Sequence, residues 1–287
     1  PTSASAREGS ARIPKPGSSE KRPLGIPTVR DRIVQTGLRM VIEPIFEARF
    51  AESSYGFQPG RGCKDALRRV QALLDEGHTW IVDADLKSHF DTIPKDRLMG
   101  RVEERLADGR VLALLRSYLD QAVMEELTRH EPTDRGTPQG AVISPLLANI
   151  YLNPLDHLRA ESGCEMVRYA DDFVILCRSR EAAEAALAGV QTWVGENGLT
   201  LHPGKTRLVD ATQRGGFDFL GYHFERDYRW PRKKSMDKLK TRIRELTPRR
   251  TCGNSFEHCI RQLNEALGGW FGYFKHSHRI TFPPVDK

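Results

Sequence analysis

Two acidic clusters in strand-like segments constrain this chain most. Residues 80–86 are apolar and short, which predicts a buried strand, yet they contain Asp83 and Asp85. Asp171 and Asp172 form the second cluster and lie between the apolar residues of two further short strands. Carboxylates in such strands destabilise a fold by several kcal/mol unless they are paired or bound to a cation. The clusters therefore indicate either a cation site or solvated turns.

If the strands that carry these clusters are neighbours, Asp85 and Asp171 converge on one site. Carboxylates that close repel each other and require hard divalent cations, and Mg²⁺ accepts one or two carboxylates together with water and phosphate oxygens. Two such ions ~3.5–4 Å apart drive in-line phosphoryl displacement. The alternative is that Asp171 and Asp172 merely cap a solvated turn. The residues alone leave both interpretations open.

The remaining pattern predicts an α+β domain followed by a small helical one, because strands alternate irregularly with helices. Residues 1–20 are rich in Ser, Pro and Gly and indicate an extended arm. The spacing of apolar residues predicts helices over 30–50, 64–77, 95–121, from Ser144 onwards, 180–197 and 256–274. Strands are predicted over 80–86, twice within 165–177, and over 217–224.

Positive charge is concentrated late in the chain. The chain has a net charge of +6, and residues 226–250 contain eleven lysines and arginines against three acidic residues. The rest of the chain is therefore slightly acidic. Such a block is typical of a nucleic-acid-binding surface, although a solvated helix face would have the same composition.

The sequence favours a reduced, cytoplasmic setting, with association with the nucleoid as a further expectation. The chain has no run of 18 apolar residues for a membrane span, and residues 1–21 lack the apolar core of a signal peptide. Pro1 is not a translation start, so we expect residues upstream. The five cysteines form no CxxC pair, which favours free thiols. A zinc site fits no standard spacing, and its cysteines are better interpreted as packing residues; the candidate ligands are Cys252, His258, Cys259, His276 and His278.

Residues around the acidic clusters resemble a known family. Residues 169–172 (YADD) are similar to the YxDD box of reverse transcriptases, and residues 85–91 (DLKSHFD) look like their first aspartate motif. Further segments resemble the motifs of group II intron-type reverse transcriptases, in that family's order: 21–27 (KRPLGIP) with 31–35 (DRIVQ), 55–61 (YGFQPGR), 136–140 (GTPQG) with 144–149 (SPLLAN), 198–206 (GLTLHPGKT), 219–222 (FLGY) and 269–274 (GWFGYF). Residues 138–140 and Ala170 differ from the boxes of the retron and diversity-generating branches.

This resemblance implies a right-hand polymerase, with fingers and palm over residues 1–225 and a helical thumb, or maturase-like domain, over 226–287. It implies that deoxynucleotides are added to a DNA or RNA primer on an RNA template. The choice of RNA as template rests on the resemblance and not on the residues. Members of the family have more residues before the fingers motif, and some have a DNA-binding region and a nuclease after the thumb.

The resemblance also assigns the metal site. Asp85, Asp171 and Asp172 would hold two Mg²⁺ ions, for which Mn²⁺ is a possible substitute, and the Leu86 carbonyl is a candidate extra ligand. Lys205 follows a Pro-Gly turn and is a candidate for protonating the leaving pyrophosphate. A plain surface lysine is the alternative.

Roles in nucleotide binding follow in the same way. Arg22 and Arg30 are candidates for binding the triphosphate, because guanidinium groups match phosphate oxygens, or they are surface arginines. Gln139 and Gly140 would lie against the incoming nucleotide and the template base, where glycine allows close backbone approach. Phe90 would exclude a ribose 2′-hydroxyl, or else it is a core residue of the palm.

The implied contacts to nucleic acid lie further along the chain. Leu220 and Gly221 would position the primer end. Basic residues from 226 onwards would follow the duplex backbone without reading its sequence; they are Arg226, Arg232, Lys233, Lys234 and Lys238.

Two other functions stay open. An RNA-binding splicing cofactor for a structured intron RNA needs the basic surface but not the carboxylates. A relative adapted to defence or repair is the second.

Overall fold

The computed structural model describes residues 8–14, 21–120, 123–125, 128–130, 134–137, 140–160, 164–226, 228–248 and 255–282. The helices in this part of the chain are α1 (Val29–Glu47), α2 (Cys63–Asp75), α3 (His89–Thr92), α4 (Lys95–Glu103), α5 (Gly109–Leu119), α6 (Ser144–Ala160), α7 (Arg180–Glu196), α8 (Lys233–Leu246) and α9 (Phe256–Phe274). The strands are β1 (Glu8–Pro14), β2 (Lys21–Ile26), β3 (Trp80–Asp85), β4 (Val123–Glu125), β5 (Thr128–His130), β6 (Glu165–Tyr169), β7 (Asp172–Cys177), β8 (Arg207–Asp210), β9 (Phe217–Phe219), β10 (Tyr222–Glu225) and β11 (Tyr228–Pro231).

The central sheet, which we call the palm sheet, has the order β6-β7-β3-β8 with antiparallel neighbours. Apolar side chains cover both of its faces. Val82 and Phe173 belong to the larger core with residues of α4, α6 and α7. Ile81 and Val174 belong to a second core with residues of α2, β9, β10 and α9. Burial on both faces explains the nearly continuous apolar runs of β3 and β7.

A three-stranded sheet of order β11-β10-β9 follows the palm sheet in the chain. The single strand predicted over 217–224 is wrong, since Leu220 and Gly221 form a turn between β9 and β10. Both turn residues have positive φ, 46° and 87°. The stacked rings of Phe217 and Phe224, 5.1 Å apart, close the hairpin. β11 pairs with β10 across position 225/226, where the sequence predicts a domain boundary; that boundary stays a prediction.

The helix predictions are mostly confirmed, with one correction. The single helix predicted over 95–121 is wrong, because α4 ends at Glu103 and α5 begins after Asp108. The Asp108 carboxylate accepts hydrogen bonds from the backbone N–H groups of Arg110 and Val111, which makes it the N-cap of a new helix. The arm predicted over residues 1–20 is in part a paired strand, since β1 forms an antiparallel hairpin with β2.

The described helices include none that combines the length and the apolar character needed to cross a membrane. The described cysteines, Cys63, Cys164, Cys177 and Cys259, form no disulfide with one another.

Candidate active site

Two of the predicted aspartates lie opposite each other at the end of the palm sheet. Asp85 of β3 is the direct cross-strand partner of Asp172 of β7. Side chains of such a pair leave an antiparallel sheet on the same face. Asp171 lies in the turn between β6 and β7, and its carbonyl faces the backbone N–H of Leu86 at 3.5 Å. The two strands that carry the acidic clusters are therefore neighbours, which the sequence analysis had left as a condition.

Asp83 joins these residues, and the sequence interpretation gave it no role. It precedes Asp85 by two positions in β3, so the two side chains share a face. The spacing of two positions between Asp83 and Asp85 is the sequence signal that indicates this shared face. Burial raises the pKa of Asp83, a hydrogen bond from the Arg207 guanidinium opposes that rise, and the charges of Asp218 and Asp85 add to it.

Asp172 has the most perturbed carboxyl of the group. Its pKa is raised to about 7, first by burial and then by the negative charges of Asp83, Asp85 and Asp171. The positive charge of Arg232 acts in the opposite direction. An unbalanced cluster of negative charge therefore surrounds Asp172, which is the condition that a bound cation relieves.

Two cationic side chains partly balance the cluster. The Lys205 Nζ lies 2.6 Å from Asp85 Oδ2, and the Arg207 Nε lies 3.0 Å from Asp83 Oδ2. Lys205 is more than half exposed, so it can leave Asp85 without leaving solvent. The structure thus brings Lys205, predicted as a proton donor, to a predicted metal ligand.

No group of three or more His, Cys, Asp or Glu side chains within the described ranges is arranged closely enough to hold a metal ion. Asp85, Asp171 and Asp172 therefore approach one another without forming a closed set of ligands, and Lys205 occupies one Asp85 oxygen. Their chemistry still fits a hard cation, because carboxylate oxygens are the ligands that Mg²⁺ takes in proteins. The backbone of Leu86, the candidate carbonyl ligand, follows Asp85 directly in a buried position.

The predicted nucleotide-binding residues lie in separate segments of the chain. Arg30 lies exposed in the first turn of α1, and Gly140 is exposed with φ 100°. Arg22 lies in β2, but its side chain is outside the described part of the structure, and Gln139 lies outside the described residues. Phe90 is partly buried against the larger core, and its carbonyl accepts a hydrogen bond of 2.6 Å from Thr137 N.

The segment around Gly140 is attached to α1 by a residue without a predicted role of its own. Gln35 is buried, and its Oε1 accepts a hydrogen bond of 2.9 Å from Val142 N. The sequence pattern of α1 does not distinguish Gln35 from an ordinary exposed polar residue. Only the resemblance of residues 31–35 to the family motif pointed to it.

The Leu220–Gly221 turn is held by residues of α9 and of the start of α8. The Leu220 carbonyl accepts a hydrogen bond from the Tyr273 hydroxyl at 2.7 Å. The Gly221 carbonyl accepts from Arg232 N at 2.9 Å and from the Ser235 hydroxyl at 3.0 Å. The predicted primer-positioning turn is therefore coupled to α8 and α9.

The predicted basic surface divides into two environments. Lys233, Lys234 and Lys238 are exposed on α8. Arg232 caps the start of α8, is only partly exposed, and acts on the charge of Asp172. Arg226 lies exposed in the turn between β10 and β11. Among the proposed zinc ligands, Cys252 lies outside the described residues, and the described ones form no metal cluster.

An antiparallel palm sheet with paired aspartates, flanked by fingers and helical thumb segments, defines a right-hand polymerase fold. Solved telomerase structures share this fold: TM-score 0.61 at 15% identity for the Candida albicans enzyme, covering 94% of this chain and 54% of that one, and TM-score 0.62 at 12% identity for the apo enzyme of Candida tropicalis, covering 95% and 58%.

Family comparisons assign the chain. Residues 13–224 match the family described as reverse transcriptase (RNA-dependent DNA polymerase), and residues 236–286 match the maturase-specific domain of group II introns. The chain therefore belongs to the reverse transcriptase family, and the resemblance seen in the sequence is confirmed.

Curated relatives agree with this assignment. Protein YkfC of Escherichia coli K12 is 35% identical over 251 residues, which cover 75% of this chain and 65% of that protein. The group II intron-encoded protein LtrA of Lactococcus lactis subsp. cremoris is 40% identical over 144 residues, which cover 50% of this chain and 24% of that protein. The chain thus spans less than two thirds of these relatives.

Proposed function

We propose that this chain is an RNA-directed DNA polymerase that extends a DNA or RNA primer with dNTPs on an RNA template. The observation that carries the proposal is the cross-strand pair of Asp85 and Asp172 with Asp171 in the adjoining turn, in a chain of the reverse transcriptase family. The burial and negative charge around Asp172 support a site that functions with cations bound.

In this mechanism Asp85, Asp171 and Asp172 would hold two Mg²⁺ ions, with the Leu86 carbonyl as a further candidate ligand and Mn²⁺ as a possible substitute. When bound, these ions supply Lewis-acid activation of the primer 3′-hydroxyl and charge stabilisation of the leaving pyrophosphate. Lys205, released from Asp85, would donate a proton to that pyrophosphate. Leu220 and Gly221 would orient the primer end through a turn that two thumb helices support.

Primer extension tests the proposal. Purified protein is incubated with an annealed primer on an RNA template, with dNTPs and Mg²⁺, and in parallel with rNTPs. We expect template-dependent extension with dNTPs. The absence of extension on RNA and on DNA templates, with Mg²⁺ and with Mn²⁺, would contradict the proposal.

A second candidate function is an RNA-binding splicing cofactor, favoured by the match of residues 236–286 to the maturase-specific domain. This role needs RNA binding but no carboxylates. Asp171→Asn protein should therefore bind a structured group II intron RNA as tightly as wild type in a filter-binding assay. Equal, weak binding to structured and unstructured RNA would leave polymerisation as the function to pursue.

Phe90→Val separates the two roles proposed for Phe90. If the ring excludes a ribose 2′-hydroxyl, the variant should raise rNTP relative to dNTP incorporation about tenfold or more, since a steric clash of ~1–3 kcal/mol is sufficient. The partial burial of Phe90 against the larger core supports the other role, under which both substrates slow in parallel and the melting temperature falls. Measuring both incorporation efficiencies beside a melting curve decides between them.

Replacing Lys233, Lys234 and Lys238 together by Ala tests whether α8 binds the duplex. Because each lost phosphate contact removes counterion release, the log–log slope of affinity against salt should flatten by ~0.7–0.9 per contact, for all sequences alike. Arg232 is left intact, since its positive charge also acts on Asp172. The control is Arg105→Ala with Arg110→Ala, which removes two exposed positive charges near α4 and α5 and should leave the slope unchanged. Equal slopes for wild type and the triple variant would make this an ordinary solvated surface.

A further inference from the structure

Arg168 is the largest fully buried side chain among the described residues, and it lies three positions before Asp171. Its side chain and that of Asp156 in α6 are both 0% exposed and form a two-point ion pair, with Nε–Oδ1 at 2.7 Å and Nη2–Oδ2 at 2.6 Å. Burying two charges is unfavourable unless the remaining donors are also satisfied. The other acceptors around the guanidinium therefore matter.

Three further acceptors complete the shell of Arg168. The Nη1 donates to Asn149 Oδ1 at 3.0 Å and to the Ala170 carbonyl at 3.0 Å, and the Nη2 donates to Ser54 Oγ at 2.8 Å. All five N–H groups of a guanidinium are thus engaged. Asp156 alone would satisfy only two of them, so this arrangement does more than neutralise a buried charge.

The bond to the Ala170 carbonyl acts directly on the aspartate turn. Ala170 has φ 60°, a left-handed conformation that non-glycine residues adopt at an energetic cost unless their surroundings hold it. The Ala170 carbonyl belongs to the same planar peptide unit as the backbone N–H of Asp171. A guanidinium that fixes this carbonyl therefore fixes the plane from which the Asp171 side chain departs.

The peptide unit on the other side of Ala170 is also held. Gly56 approaches it so closely that a Cβ on Gly56 would lie 2.4 Å from Ala170 N. The Gly56 carbonyl accepts a hydrogen bond of 2.8 Å from Asn149 Nδ2, and Asn149 Oδ1 accepts from Arg168. Asn149 thus links both restraints, and the turn is fixed from two directions.

We propose that Arg168 is a positioning residue for the aspartate turn: its buried guanidinium holds the peptide plane before Asp171, so that Asp171 and Asp172 present their carboxylates to divalent cations in one arrangement. The inference rests on the proposed polymerase function only for its catalytic readout. Cation binding by the protein without substrate is a second readout.

The test replaces the ion pair without leaving a charge behind. Arg168→Met with Asp156→Leu substitutes apolar side chains of similar size, a change that is often neutral for stability when both partners are removed. The variant keeps the core filled but removes the donor to the Ala170 carbonyl. Arg168→Lys is the second variant; it keeps a cation for Asp156 but lacks the planar fork that reaches several acceptors.

Mn²⁺ affinity, measured by calorimetry on folded protein, is the first readout, and the Mg²⁺ concentration for half-maximal primer extension is the second. We expect each variant to weaken Mn²⁺ binding and raise the Mg²⁺ requirement by about 10- to 100-fold, as loss of a residue that orients ligands does. Template–primer affinity should stay within about threefold, since phosphate contacts dominate that affinity and none is removed. The matched control is Lys95→Met. Lys95 lies partly buried in α4 and forms an ion pair with Asp120, so its loss should change only the melting temperature.

A folded double variant with wild-type Mn²⁺ affinity would overturn the inference. If the double variant does not fold, the inference is overturned when folded Arg168→Lys binds Mn²⁺ with wild-type affinity. If wild type itself extends no primer, the proposed function fails, while the Mn²⁺ measurements still decide the role of Arg168.

Discussion

Asp171→Asn and Asp85→Asn are each expected to abolish primer extension, with a loss of about a thousandfold or more. Removing one carboxylate weakens the cation site that stabilises the transition state, and ~4 kcal/mol of lost stabilisation corresponds to that factor. Single-turnover extension on an RNA template in Mg²⁺ measures the effect. Asp75→Asn, a change of the same type at the exposed end of α2, is the control and should extend normally.

The same substitutions should not unfold the protein. Asp172 lies among Asp83, Asp85 and Asp171, so removing one negative charge relieves repulsion in the metal-free state. Thermal melts in the presence of a chelator should place both variants at or above the wild-type melting temperature. Extension within tenfold of wild type, or a clearly lower melting temperature, would contradict the metal-ligand assignment.

The elevated pKa of Asp172 adds a pH signature to this prediction. Its folded-state value of about 7 lies above the ordinary value of 3.8. The native state therefore binds more protons than the unfolded state between these values, and this group contributes less stability as the pH rises through that window. Asp172→Asn removes the titration, so its melting temperature relative to wild type should increase from pH 5 to pH 8 in metal-free buffer.

Gly56→Ala should be the most damaging single-methyl change near the site. The added Cβ would lie 2.4 Å from Ala170 N and 3.0 Å from the carbonyl carbon of Tyr169, both backbone atoms that cannot rotate away. Overpacking of this kind destabilises a fold by ~1–3 kcal/mol, and a shift of about 1 Å in the aspartate turn is enough for a ~100-fold loss of rate. Melting temperature and extension rate per folded molecule should both fall.

Gly100→Ala is the matched control for that substitution. Gly100 lies in α4 with nothing within 4 Å of the position that a Cβ would occupy. In a helix interior this change is favourable by ~0.5–1 kcal/mol, so the control should melt slightly higher and extend normally. A Gly56→Ala protein that extends primers at the wild-type rate would show that the turn does not depend on this close approach.

Much of the fold followed from local pattern. The limits of α9 and α2, the β6–β7 hairpin around 169–172, and the start of α6 at Ser144 agree with the sequence prediction within a few residues. These elements have a strong period or a clear cap, and both signals are contained within a few turns of chain. The helix prediction failed at Asp108. The apolar period of residues 95–121 is that of a single helix, but Asp108 acts as an N-cap and begins α5 within that segment.

The sequence by itself also determined the family and singled out the aspartates as candidate metal ligands, because ordered motifs and carboxylates in apolar strands are visible in one dimension. Only the tertiary structure decided that Asp85 pairs with Asp172, since register between strands almost ninety positions apart depends on long-range packing. It also decided that Lys205 reaches Asp85, and that Arg168 holds the turn from a fully buried position. Such side chains carry no periodic signal, because the role of a charged residue depends on which acceptors the fold brings to it. The acceptors of Arg168 come from three separate segments of the chain: Ser54, α6 and Ala170.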